Sequence, residues 1–526
     1  MNTNKRLLVS TSVLVFCFVI FLILNSNIAS AATYYVSATG NDTTGVGSSI
    51  NPWKTTTKAF IMGGGHVYVL KDGLYDYNGG NITNPPSGTV NQYTMVMAEN
   101  DGKAIIDGQK LRRTISIRGN SNYQPRYISV IGFHTKNSSD SAIEVSGYSD
   151  SARAHHIEIK RISGKDSGNI NGDVAGFGMY TEDNLMEDSW FWGKARTIVM
   201  NYGHYPEPPP HTYRNTFRRV VARFDATDAT SGGQNVFTNY GADDSIYENS
   251  IAIDANNAPD PYGAFRNRPG ASNNKFLGNM ILNVGNFYPF DIGDSTIEIA
   301  NCAVKGTSQN NYARNYGQGK VSVVNFNQCT FIGSTGPIFI GDGTLATNNS
   351  LFKDSGSAVC VSNCHWDNSG STSGTNPSSG DSGLLYLPRV EKGSAVDGTG
   401  NNGADRGANI VKRYLNGVLT DEDLWPWPYE DRLKTEMCLD TNRGFCAQGN
   451  GLYGGPITLT SYIWEYLGNS CPAEICNYNI QYHLADTNQN NKIEMAELIA
   501  FIGKWKSAQV NLNDVLTALD KWLKGM

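Results

Sequence analysis

Along the middle of the chain, short stretches with apolar residues two apart recur, each followed by Gly, Asn, Asp or Ser. One matched position per copy reads Phe133, Ile162, Trp190, Val220, Ile251, Met280, Cys302, Cys329 and Leu351, a spacing of 22 to 31 residues. Apolar residues two further on include Trp192, Ala222, Ile253, Leu282, Val304 and Phe331. Alternation with period two marks a strand. A strand that returns at this interval cannot bury its own apolar side chains, but a stack of such coils makes one continuous core. The pattern predicts an all-β chain folded as a right-handed parallel β-helix, a solenoid. A propeller blade needs about 40 residues and four strands, so the period is too short for one. A β-sandwich does not generate nine similar copies.

The register carries its own expectations. Cys302 and Cys329 fall on successive coils, about 4.8 Å apart, a distance that suits a disulfide. Three residues past the matched position, Arg223, Asp254, Asn283 and Lys305 form one outward column, with Arg223 beside Asp254. Arg219 is placed outward as well.

Charge and cysteine content narrow the setting. The net charge of −6 gives no basic field for nucleic acid, so a nucleic-acid partner is excluded. Lys5 and Arg6 precede an apolar run from Leu7 to Leu24, and Ala29-Ser30-Ala31 follows. This is the layout of a signal peptide spanning 1–31, cleaved before Ala32. The run of about 18 residues is also long enough to cross a bilayer, so retention as an anchor stays open. No other segment has that length, and no membrane span is expected after cleavage. Beyond Cys17, eight cysteines remain, an even number that favours disulfides in an exported chain. Close pairs are Cys360 with Cys364, Cys438 with Cys446, and Cys471 with Cys476.

The opening Thr33-Tyr34-Tyr35-Val36-Ser37-Ala38-Thr39-Gly40-Asn41-Asp42, followed by Asn51-Pro52-Trp53-Lys54-Thr55, resembles the start of secreted bacterial β-helix proteins of the pectate-lyase-like superfamily. Gly393-Ser394-Ala395-Val396-Asp397-Gly398 and Gly403-Ala404-Asp405-Arg406-Gly407-Ala408 resemble their last coil. The resemblance brackets a β-helix over 32–410. It implies a secreted or cell-surface protein and a polysaccharide partner, but fixes no activity, because the fold carries lyases, hydrolases, epimerases and adhesins. Residues 411–470, with Leu424-Trp425-Pro426-Trp427-Pro428, read as a cap and connector packed on the last coils.

The strongest local motif lies in the final segment, 471–526. In Asp486-Thr487-Asn488-Gln489-Asn490-Asn491-Lys492-Ile493-Glu494-Met495-Ala496-Glu497, oxygen-bearing side chains fall at loop positions 1, 3, 5, 9 and 12. Asp486, Asn488, Asn490, the Lys492 carbonyl, Glu494 and Glu497 thus form a calcium ligand series, and flanking helices complete the unit. The segment resembles a dockerin or EF-hand-like module with one full loop, which implies Ca2+ as cofactor and a cohesin-like or cell-surface partner.

Candidate chemistry gathers around two excursions, 201–211 and 254–268. In β-elimination on a uronate, cations neutralise the carboxylate and a base removes the acidified proton. Arg219 and Arg223 fit the first role, and Lys194, His204 or His211 the second. Hydrolysis needs paired carboxylates instead, for which Asp225 with Asp254 is the best pair. Two classes therefore stay open: a polysaccharide lyase or glycoside hydrolase, and a non-catalytic adhesin or envelope protein attached through its C-terminal module. Solvated ladder pairs account for the same charges in either case.

Overall fold

In the computed structural model the described residues are 31–526, except 204–210, 294–295, 310, 316–322, 335–338, 342–343, 357–359, 371–372, 450, 452–456, 477–482, 488–492, 508 and 525–526. The expected signal segment, His204, Asn488, Asn490 and Lys492 lie outside them. Each coil visits three sheets in turn: a first of 13 strands, a second of 13 and a third of 10. Every strand in them pairs in parallel with its counterpart one coil away, as at Phe217 with Tyr247 and Phe237 with Phe265. The chain is a right-handed parallel β-helix, the hand that parallel crossovers take.

The interior is built from columns. In the first sheet Ile159, Met186, Phe217, Tyr247, Phe276, Ile299 and Phe326 stack in register, all buried. The rings of Phe217 and Tyr247 lie 4.7 Å apart and 6° from parallel, and Tyr247 and Phe276 4.8 Å and 9°. The strand spacing of about 4.8 Å brings like rings into such contact. Between the first and second sheets the chain turns on one left-handed residue per coil: Arg161, Asp188, Arg219, Asn249, Gly278, Asn301, Gln328 and Asn349, with φ between 48° and 65°. Asn, Asp and Gly take that conformation at least cost, which is why they punctuate the repeat.

One part of the expected register slips by a residue. Ile251 does pair with Met280, but Met280 pairs with Ala303, not Cys302. Ile162, Val220, Cys302 and Cys329 sit just before the second-sheet strands, pointing inward, whereas Trp190, Ile251, Met280 and Leu351 point outward. A shift of one exchanges the two faces. Here both faces are buried, as in Trp190-Phe191-Trp192, so polarity does not separate them. The outward face is covered by the chain's own return. Gly407 N donates to Asn349 O, Tyr414 N to Asn249 Oδ1 at 2.6 Å, and Gly417 N to Glu248 Oε2 at 2.8 Å. Arg432 then reaches the carbonyls of Arg161 and Phe133 at 2.7 and 2.9 Å. The described residues of 407–470 are therefore not confined to the last coils. They run back along the second sheet, and Leu424, Trp425, Trp427, Leu433, Phe445 and Trp464 bury its outward residues.

The helices Met495–Lys506 and Leu512–Lys524 come to rest on the early coils. Ile493, Leu498, Phe501, Val515, Ala518 and Trp522 pack against Val69, Met97 and Ile131 of the first sheet. Cys360–Cys364, Cys438–Cys446 and Cys471–Cys476 are disulfides, as spacing suggested. Cys302 and Cys329 are free buried thiols. Among the described residues no helix is long and apolar enough to cross a membrane.

Candidate functional site

The second sheet is covered, and the third carries a cleft over its early coils. Its outward column runs Ser116, Glu144, Gly176, Met200, Thr238, Arg266, Asp291, Arg314, one residue per coil. A cleft of about 450 Å³ opens over the early part of this column. Arg118, Glu144, Asp173, Tyr148, Tyr180, Met200 and Tyr202 line it, over a floor that includes Gly147, Gly176 and Gly178. A Cβ on Gly176 would come within 2.3 Å of the Met200 carbonyl, and one on Gly147 within 2.2 Å of the Tyr180 carbonyl. The floor is bare backbone because nothing larger fits, which leaves room for a ligand between the tyrosines.

Two carboxyl groups open onto this cleft in opposite settings. Glu144 is held by two guanidinium groups, Arg113 Nη1 at 3.1 Å and Arg118 Nε at 3.2 Å. Asp173 meets Arg196 Nη2, 3.7 Å from Oδ1, and the Thr197 side chain, and a quarter of its own side chain (26%) is exposed. Burial, reinforced by nearby Asp140, pushes the Asp173 carboxyl up to about 6 despite Arg196. A raised carboxyl beside an ion-paired one is how an acid and a base are set apart at one pH. Glu144 pairs with Gly176, three residues after Asp173 on the neighbouring strand. Three residues at about 3.3 Å and one strand spacing put the two Cα atoms about 11 Å apart.

The rim is a hairpin through Tyr148, which is 54% exposed, closed by the bridge between Ser149 and Ala152. His211 Nδ1 lies 3.1 Å from Asp150 Oδ1, and its ring is 5.0 Å from that of Tyr180. Of the described residues expected from sequence to be catalytic, His211 alone borders the cleft.

The others are placed elsewhere. Lys194 pairs with Asp228 at 3.2 Å on an exposed turn after the second sheet. Arg219 is a buried corner residue whose guanidinium meets Asp188 at 2.5 Å and Glu187 at 2.8 Å. Ala222 pairs with Ala252, so Arg223 stands beside Ile253 and not Asp254. It is 2% exposed beneath the returning chain, 2.9 Å from Asp225 and 3.2 Å from Cys446 Sγ. Asp254 is fully buried and accepts from Asn283 Nδ2 (2.7 Å), Tyr462 Oη (2.8 Å) and Phe445 N (2.9 Å). Arg443 bridges Asp225 and the Asp254 carbonyl. These charges lock the return segment down, so Arg219 and Arg223 are not open to a substrate carboxylate. Glu144 and Asp173 were missed because the repeat was followed along the second sheet. Gly176 within the strand Asp173–Phe177 and Gly178 just past its end are the available signal.

At the C-terminus, Asp486 and Glu497 are buried. The Glu497 carboxylate accepts from Thr487 N at 2.8 Å, Thr487 Oγ1 at 2.7 Å and Glu494 N at 3.1 Å, so it folds back over the entry of the expected loop. Among the described residues no three His, Cys, Asp or Glu side chains gather as a metal site.

No protein-family model matches the chain, and no curated protein matches it. Solved structures similar to it include the pectate lyase Pel9A, at 15% identity over 73% of this chain and 97% of that one, with a TM-score of 0.36. The catalytic unit of an α-1,3-glucanase from Streptomyces thermodiastaticus aligns at 11% identity, 68% of each chain and a TM-score of 0.43. PfbA, a surface adhesin of Streptococcus pneumoniae, aligns at 10% identity, 62% and 86% of the two chains and a TM-score of 0.33. The likeness concerns the path of the chain and places no residue.

Proposed function

We propose that this is an extracellular carbohydrate-active protein that binds a polysaccharide along the outward face of its third sheet and hydrolyses it with inversion. Asp173 acts as the general acid that protonates the leaving oxygen. Glu144 acts as the base that activates water. The observation that carries this reading is the pair of carboxyl groups in one cleft, one proton-retaining and one ion-paired. Their Cα spacing of about 11 Å is wide enough for a sugar and a water between the side chains, the arrangement an inverting pair uses. Tyr148, Tyr180 and Tyr202 offer rings and hydroxyls to a sugar.

The test is proton NMR of the first-formed reducing ends released from a panel of neutral and uronate-rich glycans. Inversion is expected, with Asp173→Asn and Glu144→Gln each losing 10²-fold or more, on the order of what general acid–base groups supply. Retention at the anomeric carbon would refute it. A second reading, β-elimination, draws on the later part of the same column. There Arg266 and Arg314 share the buried Asp291 at 3.1 and 2.8 Å, and Arg314 lies 4.3 Å from the ring centre of Tyr288. Guanidinium groups beside a phenol suit carboxylate neutralisation and proton removal. Ultraviolet absorbance of an unsaturated product would select that reading. Binding without any product would instead favour the adhesin.

Calcium belongs to the same proposal. Asp486, Asn488, Asn490, the Lys492 carbonyl, Glu494 and Glu497 would hold it, and the buried carboxylates of Asp486 and Glu497 suit a hard cation. Calcium should raise the melting temperature of the full chain, and Glu497→Ala should remove that rise.

A further inference from the structure

At the edge of the first sheet, across the Tyr148 hairpin from the cleft, stands a pair of adjacent histidines. His155 and His156 belong to the strand Ala154–Lys160, and their Nδ1 atoms are 2.9 Å apart. In a regular strand, neighbours point to opposite faces and could not meet. They meet because His156 is left-handed, with φ 55°. This corner is left-handed coil after coil, at Tyr127, Asp183, Arg214, Asp244 and Asn273. Most later coils place Asp or Asn there, which suits the conformation; a histidine carries a cost of about 1–3 kcal/mol. The ring of Tyr127 backs both imidazoles, at 5.2 Å from His155 and 4.9 Å from His156. Both histidines are partly exposed. Glu182 is the strand partner of His155 one coil on, with Asp183 beside it.

From this geometry we infer a divalent transition-metal site in which His155 Nδ1 and His156 Nδ1 are adjacent ligands and water completes the shell. Two imidazole nitrogens about 2.05 Å from one ion and at right angles lie about 2.9 Å apart. Tetrahedral ligands would lie about 3.3 Å apart, so the spacing favours the tetragonal or octahedral geometry of copper(II) or nickel(II) over that of zinc. Glu182 and Asp183 are themselves paired with Arg214, at 3.3 and 2.7 Å, and Arg126 is the strand partner of His155 on the preceding coil, so the two imidazoles alone are assigned as protein ligands. Burial and the neighbouring imidazole lower the His155 proton affinity, which leaves a lone pair for metal at neutral pH. On binding, the ring that donates in this contact moves its proton from Nδ1 to Nε2 by exchange with solvent, so both ligands stay neutral imidazoles.

The site stands apart from the hydrolytic reading and is tested without turnover. Chelator-stripped full-length protein is titrated with CuCl2 and with NiCl2 by calorimetry, and the copper form is examined by electron paramagnetic resonance. One equivalent bound with a tetragonal signal showing two nitrogens is expected, tighter at pH 8 than at pH 6. His156→Asn puts at this corner a residue that prefers its backbone, so the variant should fold at least as well and lose the site. His155→Ala should lose it too, while Asp173→Asn should keep it. Absence of binding in the wild type, or an unchanged signal in His156→Asn, would overturn the assignment and leave the 2.9 Å contact as a hydrogen bond between rings.

Discussion

Replacing Asp173 by Asn should abolish turnover and stabilise the fold at once. The folded chain holds the Asp173 proton up to about 6, against an ordinary value of 3.8. The native state therefore binds this proton more tightly than the unfolded chain does. Its contribution is fully present below pH 4, falls as the pH rises from about 4 to 6, and stays lost above that. The gap is worth at most about 3 kcal/mol, and the quarter of the side chain in solvent brings the expectation to about 1–3 kcal/mol. Asn has no charge to bury, so the variant should unfold at higher urea than the wild type at pH 8. The advantage should shrink at pH 4.5, where the native wild-type side chain is protonated. Urea unfolding followed by fluorescence at both pH values, with m unchanged, reads this directly. An equal gain at the two pH values, or none at pH 8, would refute the assignment of Asp173 as a proton-holding carboxyl. The same logic makes activity fall as pH rises through about 6, because the general acid must carry its proton.

Other consequences follow from the packing. Asp254→Ala strands the Tyr462 hydroxyl, the Phe445 amide and the Asn283 amide beneath the returning chain, and should cost about 3–5 kcal/mol in urea unfolding while the folded variant keeps its glycan binding per molecule. Phe237→Ala opens the middle of a stacked column whose rings lie 4.5 Å apart, and should cost about 3–5 kcal/mol in the same assay. Burial pushes the Cys302 thiol well up, so Cys302 and Cys329 should resist a thiol reagent in native buffer and react only in denaturant.

The solenoid was legible because stacking imposes a repeat that any coil-sized window exposes, and the Gly, Asn and Asp punctuation marks left-handed corners. Facing direction was less legible. A strand with solvent on one side alternates, but Trp190-Phe191-Trp192 is covered on both by core and return segment, so the one-residue offset between Met280 and Cys302 left no trace in polarity. The same covering explains the misassigned charges. Arg223, Asp225 and Asp254 look like an outward catalytic cluster until Arg443, Phe445, Cys446 and Tyr462, some 200 positions later, are folded over them. Nothing local announces that contact. Glu144 and Asp173 lie three positions apart only after two strands are registered, and their different settings arise from burial and Asp140 at Asp173 and from Arg113 and Arg118 at Glu144, none of which a local window shows.

The most direct test is a crystal structure of the Asp173→Asn variant with an oligosaccharide released from whichever glycan the wild type cleaves. A sugar chain lying across the third sheet, its glycosidic oxygen against residue 173 and a water between Glu144 and the anomeric carbon, is the expected result. A chain bound on another face, with Glu144 and residue 173 untouched, would contradict the account.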